Sequence, residues 1–168
     1  MAWTTPKTWV ADATLPASDL NTHVRDNLDA LKSPPSDHHE LNEVADITTS
    51  STTFVDVDGT NYEFSITTYG GDLLVGFHGT VNESGGNQQV HFNIAVDGVD
   101  VAADDGLYSC YGLRQGVGFV YKLTSIDADT HTFTLRWKVQ TGGAATLYAG
   151  AGTADLDIHP QFWAIEIG

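Results

Sequence analysis

The sequence predicts a mainly β protein, in which an extended arm and one short α-helix precede a single antiparallel β-sandwich of the jelly-roll type. Three observations predict this fold class. From about residue 50 onward, apolar and polar residues alternate with the period of two that half-buried strands show. Turn-forming pairs such as Asp58-Gly59 and Gly142-Gly143 separate the alternating runs at hairpin spacing. A helical period of useful length occurs only before residue 33.

The chain begins with a segment that we predict to be an extended arm. Residues 1–16 contain Trp3, Trp9, Pro6 and Pro16 without a regular period. Tryptophan is too large an apolar group to be left in water. The two rings are therefore expected either to fold back on their own chain or to dock on a partner.

The next segment, residues 17–32, has the pattern of a helix. Pro16 suits the first helical position, and Ser18 and Asp19 lie in the first turn, where their oxygens can accept from free N–H groups. A helix of about fifteen residues is marginal alone in water, so its apolar stripe must be covered by the body of its own chain or by copies of itself. We expect copies around a symmetry axis, with Asn27 as a polar seam residue that sets the register. The stripe consists of Leu20, Val24, Asn27, Leu28 and Leu31.

Ser33-Pro34-Pro35 ends the predicted helix, because proline lacks a backbone N–H and clashes with the preceding turn. The polar stretch that follows includes His38-His39-Glu40. Adjacent histidines on an extended chain point in opposite directions, so a metal ion would be held only if copies of one histidine met on a trimer axis. The predicted organisation is an arm and helix for attachment and trimerisation over residues 1–32, a linker over 33–49 and the sandwich over 50–168.

The alternating runs after residue 50 predict roughly eight to ten strands, the number typical of a sandwich or jelly roll. Between the apolar residues of the run near residue 135 lie Thr134, Arg136 and Lys138. That face is expected to be wet, and Arg136 and Lys138 are expected to tolerate substitution. The residues expected to form the core are Phe64, Phe77, Phe92, Phe119, Phe133, Leu135 and Trp137.

The chain is strongly acidic. Seven Lys and Arg residues oppose 22 Asp and Glu residues, so the formal net charge is 7 − 22 = −15. Such a surface repels phosphate backbones, so we expect no nucleic-acid partner. No stretch approaches the roughly 20 apolar residues of a membrane span, so we expect no membrane insertion. The first residues lack the pattern of a secretory signal, which predicts synthesis in a cytoplasm.

No motif with catalytic spacing occurs: there is no Gly-x-Ser-x-Gly elbow, phosphate-binding loop or Cys-x-x-Cys pair. The single cysteine, Cys110, lies in a predicted strand and is expected to be a small buried residue. Aspartates such as Asp97 and Asp100 flank a glycine and are expected to form turns, because a calcium site needs roughly six to eight oxygens. We therefore expect a non-catalytic protein without a cofactor or a metal.

Several N-terminal residues resemble a module of structural proteins from tailed bacteriophages and prophages. They are Thr8-Trp9-Val10, Leu20-Asn21, Val24-Arg25-Asp26-Asn27-Leu28 and Leu31-Lys32. In that module a Thr-Trp segment precedes a helix reading Leu-Asn-x-x-x-Arg-Asp-Asn-x-x-x-Leu, ahead of quite different C-terminal domains. The resemblance covers about the first fifth of the chain and implies attachment to the virion or trimerisation. Pro16 stands here where a helix-capping threonine is more usual.

The remainder resembles, more loosely, the trimeric jelly rolls of phage fibre tips and of tumour-necrosis-factor-like and complement-head-like domains. The alternating strands, Tyr148-Ala149-Gly150-Ala151-Gly152 and the terminal run Gln161-Phe162-Trp163-Ala164-Ile165-Glu166-Ile167 carry this resemblance. It implies a homotrimer in which the last strand runs through the core beside the threefold axis.

Two classes of function follow from these expectations. The first is a virion structural protein, anchored by its arm to another virion protein, either as a short tail fibre or tip that contacts a host surface glycan or receptor, or as a capsid decoration. We lean towards the tail. The second class is a free carbohydrate-binding module or lectin, with Tyr108, Tyr111 and Tyr148 as candidate glycan contacts. The helical arm discriminates between them, because a free lectin has no need of it.

Overall fold

A computed structural model describes residues 4–40, 45–85, 88–149 and 159–167. After the arm, one helix runs through three consecutive segments: α1 (Ala17–Leu20), a π-helical turn (Asn21–Arg25) and α2 (Asp26–Lys32). The helix therefore spans the predicted residues. Pro16 occupies the N-cap position, one residue before the predicted place, and no side chain caps the N-terminus.

Twelve strands follow within the described ranges. They are β1 (Ser36–Glu40), β2 (Ile47–Thr49), β3 (Val55–Asp56), β4 (Glu63–Thr67), β5 (Gly71–Glu83), β6 (Gln89–Val96), β7 (Val99–Asp100), β8 (Tyr108–Tyr111), β9 (Gln115–Ile126), β10 (Thr130–Val139), β11 (Ala145–Tyr148) and β12 (Gln161–Glu166).

All strand pairs are antiparallel, and they form two sheets that pack face to face. In sheet A the long strand β5 pairs with β9 on one side and with β12 and β11 on the other; β1 then pairs with β12, and β2 with β11. In sheet B, β10 pairs with β3 and β4 on one side and with β6 on the other, and β6 pairs with β7 and β8. The main strands thus run β1-β12-β5-β9 and β4-β10-β6-β8, which is the strand order of a jelly roll.

The core lies between the two sheets and consists of the apolar faces that the alternation predicts. Directly opposite residues of antiparallel strands share a face, so the pairs Phe64–Phe133 and Ile94–Leu135 point inward together. Six of the seven predicted core residues are buried. The exception is Phe119, which is half-buried because β9 is an edge strand, and its ring stacks on Tyr108 with centroids 5.6 Å apart.

The prediction of a linker over residues 33–49 is wrong, because β1 and β2 form the outer edge of sheet A. An edge strand needs apolar residues on one face at most, so the polar stretch gave no strand signal. Ser36–Glu40 is held by its ladder with β12, and His39 turns inward against the ring of Phe64, with centroids 5.9 Å apart. The Nδ1 of His39 also lies 3.1 Å from the carbonyl oxygen of Asn61.

The prediction of a wet outer face on β10 is also wrong. Thr134 is 5% exposed and donates its hydroxyl to Glu63. Arg136 is half-buried and donates to Asp100 at 2.7 Å and to the carbonyl oxygen of Phe54 at 3.0 Å. Carboxylates on β4 and β7 therefore cover the part of this face around Thr134 and Arg136, which no pattern within β10 could indicate.

Candidate functional site

The arm lies along the helix, and its backbone is held by side chains of one helical face. The N–H of Thr4 donates to Oδ1 of Asn27 at 2.8 Å, and Nδ2 of Asn27 donates to the carbonyl oxygen of Thr4 at 2.8 Å. One helical turn earlier, Nδ1 of His23 lies 3.2 Å from the carbonyl oxygen of Thr5. Lys7 then forms an ion pair with Asp19. The arm therefore runs antiparallel to the helix and covers its polar side.

These contacts correct the role predicted for Asn27. Asn27 is 4% exposed, and its amide is engaged by the arm of its own chain rather than by another copy. A side-chain amide offers a donor and an acceptor side by side, so it can pair with both polar groups of one backbone residue. The spacing of residues within the helix placed Asn27 in the apolar stripe. Spacing alone cannot show that the arm returns to this side of the helix and binds the Asn27 amide.

The arm leaves the apolar stripe of the helix open. Trp9 packs edge-on against His23, with ring centroids 6.4 Å apart, but remains 42% exposed. Trp3 lies outside the described residues. Within the part of the chain that the structure describes, the stripe is solvent-exposed: Leu20 is 44%, Val24 43%, Leu28 59% and Leu31 66% exposed.

Replacing Asn27 by alanine should release the arm. The change removes both hydrogen bonds to Thr4, each contributing about 0.5–1.5 kcal/mol, while alanine favours the helix itself. We expect amide hydrogen exchange at Thr4 to accelerate about tenfold, with the sandwich amides unchanged. Asn21→Ala, at an exposed position of the same helix, is the matched control. Equal exchange in the two variants would contradict the clamp.

A second feature is the outer face of sheet A, where a tryptophan lies flat on the strands. Trp163 crosses Gly76 of the neighbouring strand, and a Cβ built on Gly76 would sit 2.4 Å from the indole ring. Gly116 and Gly118 face outward on β9, and no atom of a described residue lies within 4 Å of a Cβ built on Gly116. None of the described residues therefore requires glycine at that position, and glycine in a strand often marks the close approach of another backbone.

Sequence analysis did not identify this face, although a signal was present. The run Phe162-Trp163-Ala164-Ile165 is apolar on both faces, which is typical of a strand that is covered on both sides. Phe162 and Ala164 are buried in the core, whereas Trp163 and Ile165 face outward and are half-buried.

A groove of about 510 Å³ joins the helix to this face. Leu31 belongs both to the stripe and to the groove, and Ile165 belongs both to the groove and to the outer face of sheet A. Between them the groove is lined mainly by apolar groups, including Pro34 and Ile167. We call the stripe, the groove and the outer face of sheet A together the attachment surface.

Charge is sparse on the central strands of the outer face of sheet A, whereas Glu166 lines the groove and Glu40 lies on the outward side of the edge strand β1. On the outward positions of β5, β9 and β12, the Asp, Glu, Lys or Arg side chains among the described residues are Asp72 and Lys122, which pair with each other at 2.7 Å. The hydrogen bond from Lys122 and that from the N–H of Ser125 lower the pKa of Asp72. The chain as a whole has a net charge of −15, so the centre of this face is less acidic than the average of the chain.

The three candidate glycan contacts do not form one site. Tyr108 points into the sandwich, where it stacks on Phe119. Tyr111 lies on the outer face of sheet B and is 57% exposed. Tyr148 belongs to sheet A, and the guanidinium of Arg114 lies 4.8 Å from its ring centroid.

Several titratable side chains outside the attachment surface have pKa values that are shifted by their contacts within the fold. Cys110 is 8% exposed, as expected, and burial raises the pKa of its thiol to about 11. His131 places Nδ1 2.7 Å from a carboxylate oxygen of Asp97 and Nε2 3.1 Å from the carbonyl oxygen of Asp127. The bond to Asp97 raises the pKa of His131, and the same contact lowers the pKa of Asp97.

Among the described residues no group of three or more His, Cys, Asp or Glu side chains could hold a metal ion. None of the helices in those ranges has the length and apolar character needed to cross a bilayer.

Comparison with known proteins adds little to this picture. No family model and no curated protein matches the chain. One similar solved structure is the crystal structure of dimeric latent PorU from Porphyromonas gingivalis, with 12% sequence identity and a TM-score of 0.35. The match covers 99% of this chain and 14% of that chain. At this TM-score the likeness supports no inference, so the architecture rests on the strand order and register.

Proposed function

We propose that the protein is a non-catalytic virion structural protein, a homotrimer that is anchored through residues 1–32 and displays its jelly roll at the host surface as a short tail fibre or tip. The observation that carries this proposal is the exposed apolar stripe Leu20, Val24, Leu28 and Leu31. A surface helix normally turns such a stripe towards a core. Here the chain covers the polar side of the helix instead and leaves the apolar side for a partner.

The outer face of sheet A supports a closed assembly of copies, and the number three comes from the resemblance of the sandwich to trimeric jelly rolls. Closed cyclic symmetry lets one patch of each copy cover a patch of its neighbour, so apolar surface is hidden in every copy. Three copies carry a formal charge of 3 × −15 = −45, so their contacts must avoid the acidic regions. The flat, nearly uncharged face around Trp163 and Gly76 meets this requirement.

Two measurements test the proposal: the mass of the full chain in solution, and the incorporation into particles of a chain that lacks residues 1–32. Light scattering of the full chain should give the mass of three chains. The shortened chain retains the whole jelly roll and should fold, but should no longer be incorporated into particles. A monomeric full-length chain at micromolar concentration, or normal incorporation without the arm, would overturn the proposal. Either result would favour the free carbohydrate-binding module, whereas incorporation into the capsid rather than the tail would favour a decoration protein.

A further inference from the structure

The outer face of sheet B carries a concave polar pocket of about 550 Å³, a volume within the range of about 300–1,000 Å³ typical of small-ligand sites. Three adjacent strands, β8, β6 and β10, form its floor. Ser109, His91 and Lys138 lie directly opposite one another in one row. In the next row Gln89 lies opposite Tyr111, and Gln140 follows beside Gln89, with its N–H donating to the carbonyl oxygen of Gln89 at 2.9 Å.

One wall of the pocket is formed by Asp105, Gly106 and Leu107, and contacts within the protein itself hold this wall in place. Gly106 adopts a φ of +73°, and a Cβ there would lie 2.4 Å from the carbonyl oxygen of Phe92, so only glycine lets the wall pass this close to β6. Two floor residues bind the same wall: Nδ1 of His91 lies 3.0 Å from the carbonyl oxygen of Asp105, and Lys138 donates to that of Asp104. Preformed sites lose little entropy on binding.

The chemistry of the floor selects the class of ligand. Gln89, Gln140 and Ser109 each offer both a donor and an acceptor, which matches the hydroxyl groups of a sugar. His91 is 5% exposed, and its Nδ1 must be the donor to the carbonyl oxygen of Asp105, because a carbonyl oxygen can only accept.

An anionic ligand fits this floor less well. Lys138 is the one cation of the two rows, and its ammonium already donates to Asp104 while lying 4.9 Å from the ring centroid of Phe54. The carboxylate residue Asp105 also lines the pocket, in a chain with a net charge of −15. We therefore propose that the pocket between β8, β6 and β10 binds a neutral saccharide unit. The binding itself is independent of the trimer; its use as a host contact rests on the proposed function, in which sheet A faces the other copies and sheet B faces outward.

The test uses the full-length protein on an array of neutral and acidic glycans, followed by saturation-transfer NMR with the methyl glycosides of glucose, galactose and mannose. We expect neutral glycans to be retained, and the double variant Gln89→Ala/Gln140→Ala to bind the retained glycan at least about tenfold more weakly. The matched control is Thr67→Ala/Thr130→Ala, two exposed hydroxyl residues on the same sheet, paired with each other on strands β4 and β10. Its binding should equal that of the parent.

Three outcomes would overturn the site: no neutral glycan retained by the parent chain, binding confined to acidic glycans, or equal loss of binding in both double variants. The mass of the assembly separates this proposal from the proposed function. A trimer that binds no neutral glycan would refute only the saccharide site. A monomer that loses glycan binding through Gln89→Ala/Gln140→Ala would refute only the virion trimer.

Discussion

Replacing Phe92 by alanine is expected to lower the free energy of unfolding by about 3–5 kcal/mol. Phe92 is fully buried, and its ring contacts three other aromatic rings, with centroid distances of 5.4 Å to Phe77, 6.2 Å to Trp137 and 6.4 Å to Phe119. These neighbours come from both sheets, so the surrounding structure cannot collapse around the missing ring without moving one sheet against the other. Chemical denaturation monitored by circular dichroism measures the effect.

Tyr111→Ala is the matched control for this prediction. Tyr111 lies on β8, which pairs with the strand that carries Phe92. The substitution removes a ring of similar size. Its side chain is 57% exposed, so its removal leaves no cavity and should cost less than about 1 kcal/mol. If Tyr111→Ala proved the more destabilising change, the assignment of inward and outward faces in sheet B would be wrong.

Replacing Val24 and Leu28 together by aspartate is expected to dissociate the trimer into folded monomers. Both side chains are exposed in the single chain, at 43% and 59%, so the monomer accommodates two carboxylates without burying them. In the proposed assembly the same carboxylates would be buried in an apolar contact, where an unpaired charge costs several kcal/mol. Light scattering should read one chain, and the thermal unfolding of the sandwich should be unchanged.

The control for this change is Ser18→Asp/Lys32→Gln, which makes the chain more negative by the same two units at exposed positions outside the stripe. It separates burial of charge in the contact from general repulsion between acidic chains. A monomer in the control as well would attribute dissociation to net charge alone. A trimer in Val24→Asp/Leu28→Asp would show that the helix stripe lies outside the interface and would leave the outer face of sheet A as its remaining candidate.

Much of the fold follows from local pattern. A strand places successive side chains on opposite faces, so the alternation Phe133, Leu135, Trp137 identified a buried face before any partner strand was known. The helix and its end could be predicted for the same reason, because Pro34-Pro35 and the stripe spacing act within a few residues of one another.

The sequence by itself determined the fold class, the helix and the inward face of each long strand, because periodicity and turn chemistry are properties of neighbouring residues. Tertiary structure alone decided the rest. Asn27 binds Thr4, which lies 23 positions earlier in the chain. The strand β1 joins sheet A through backbone hydrogen bonds, which do not depend on its side chains. Gln89 and Gln140 become neighbours only because their strands pair. Contacts between residues so far apart in the chain depend on which strands become neighbours. Strand order is set by the packing of the whole core, so no local pattern encodes it.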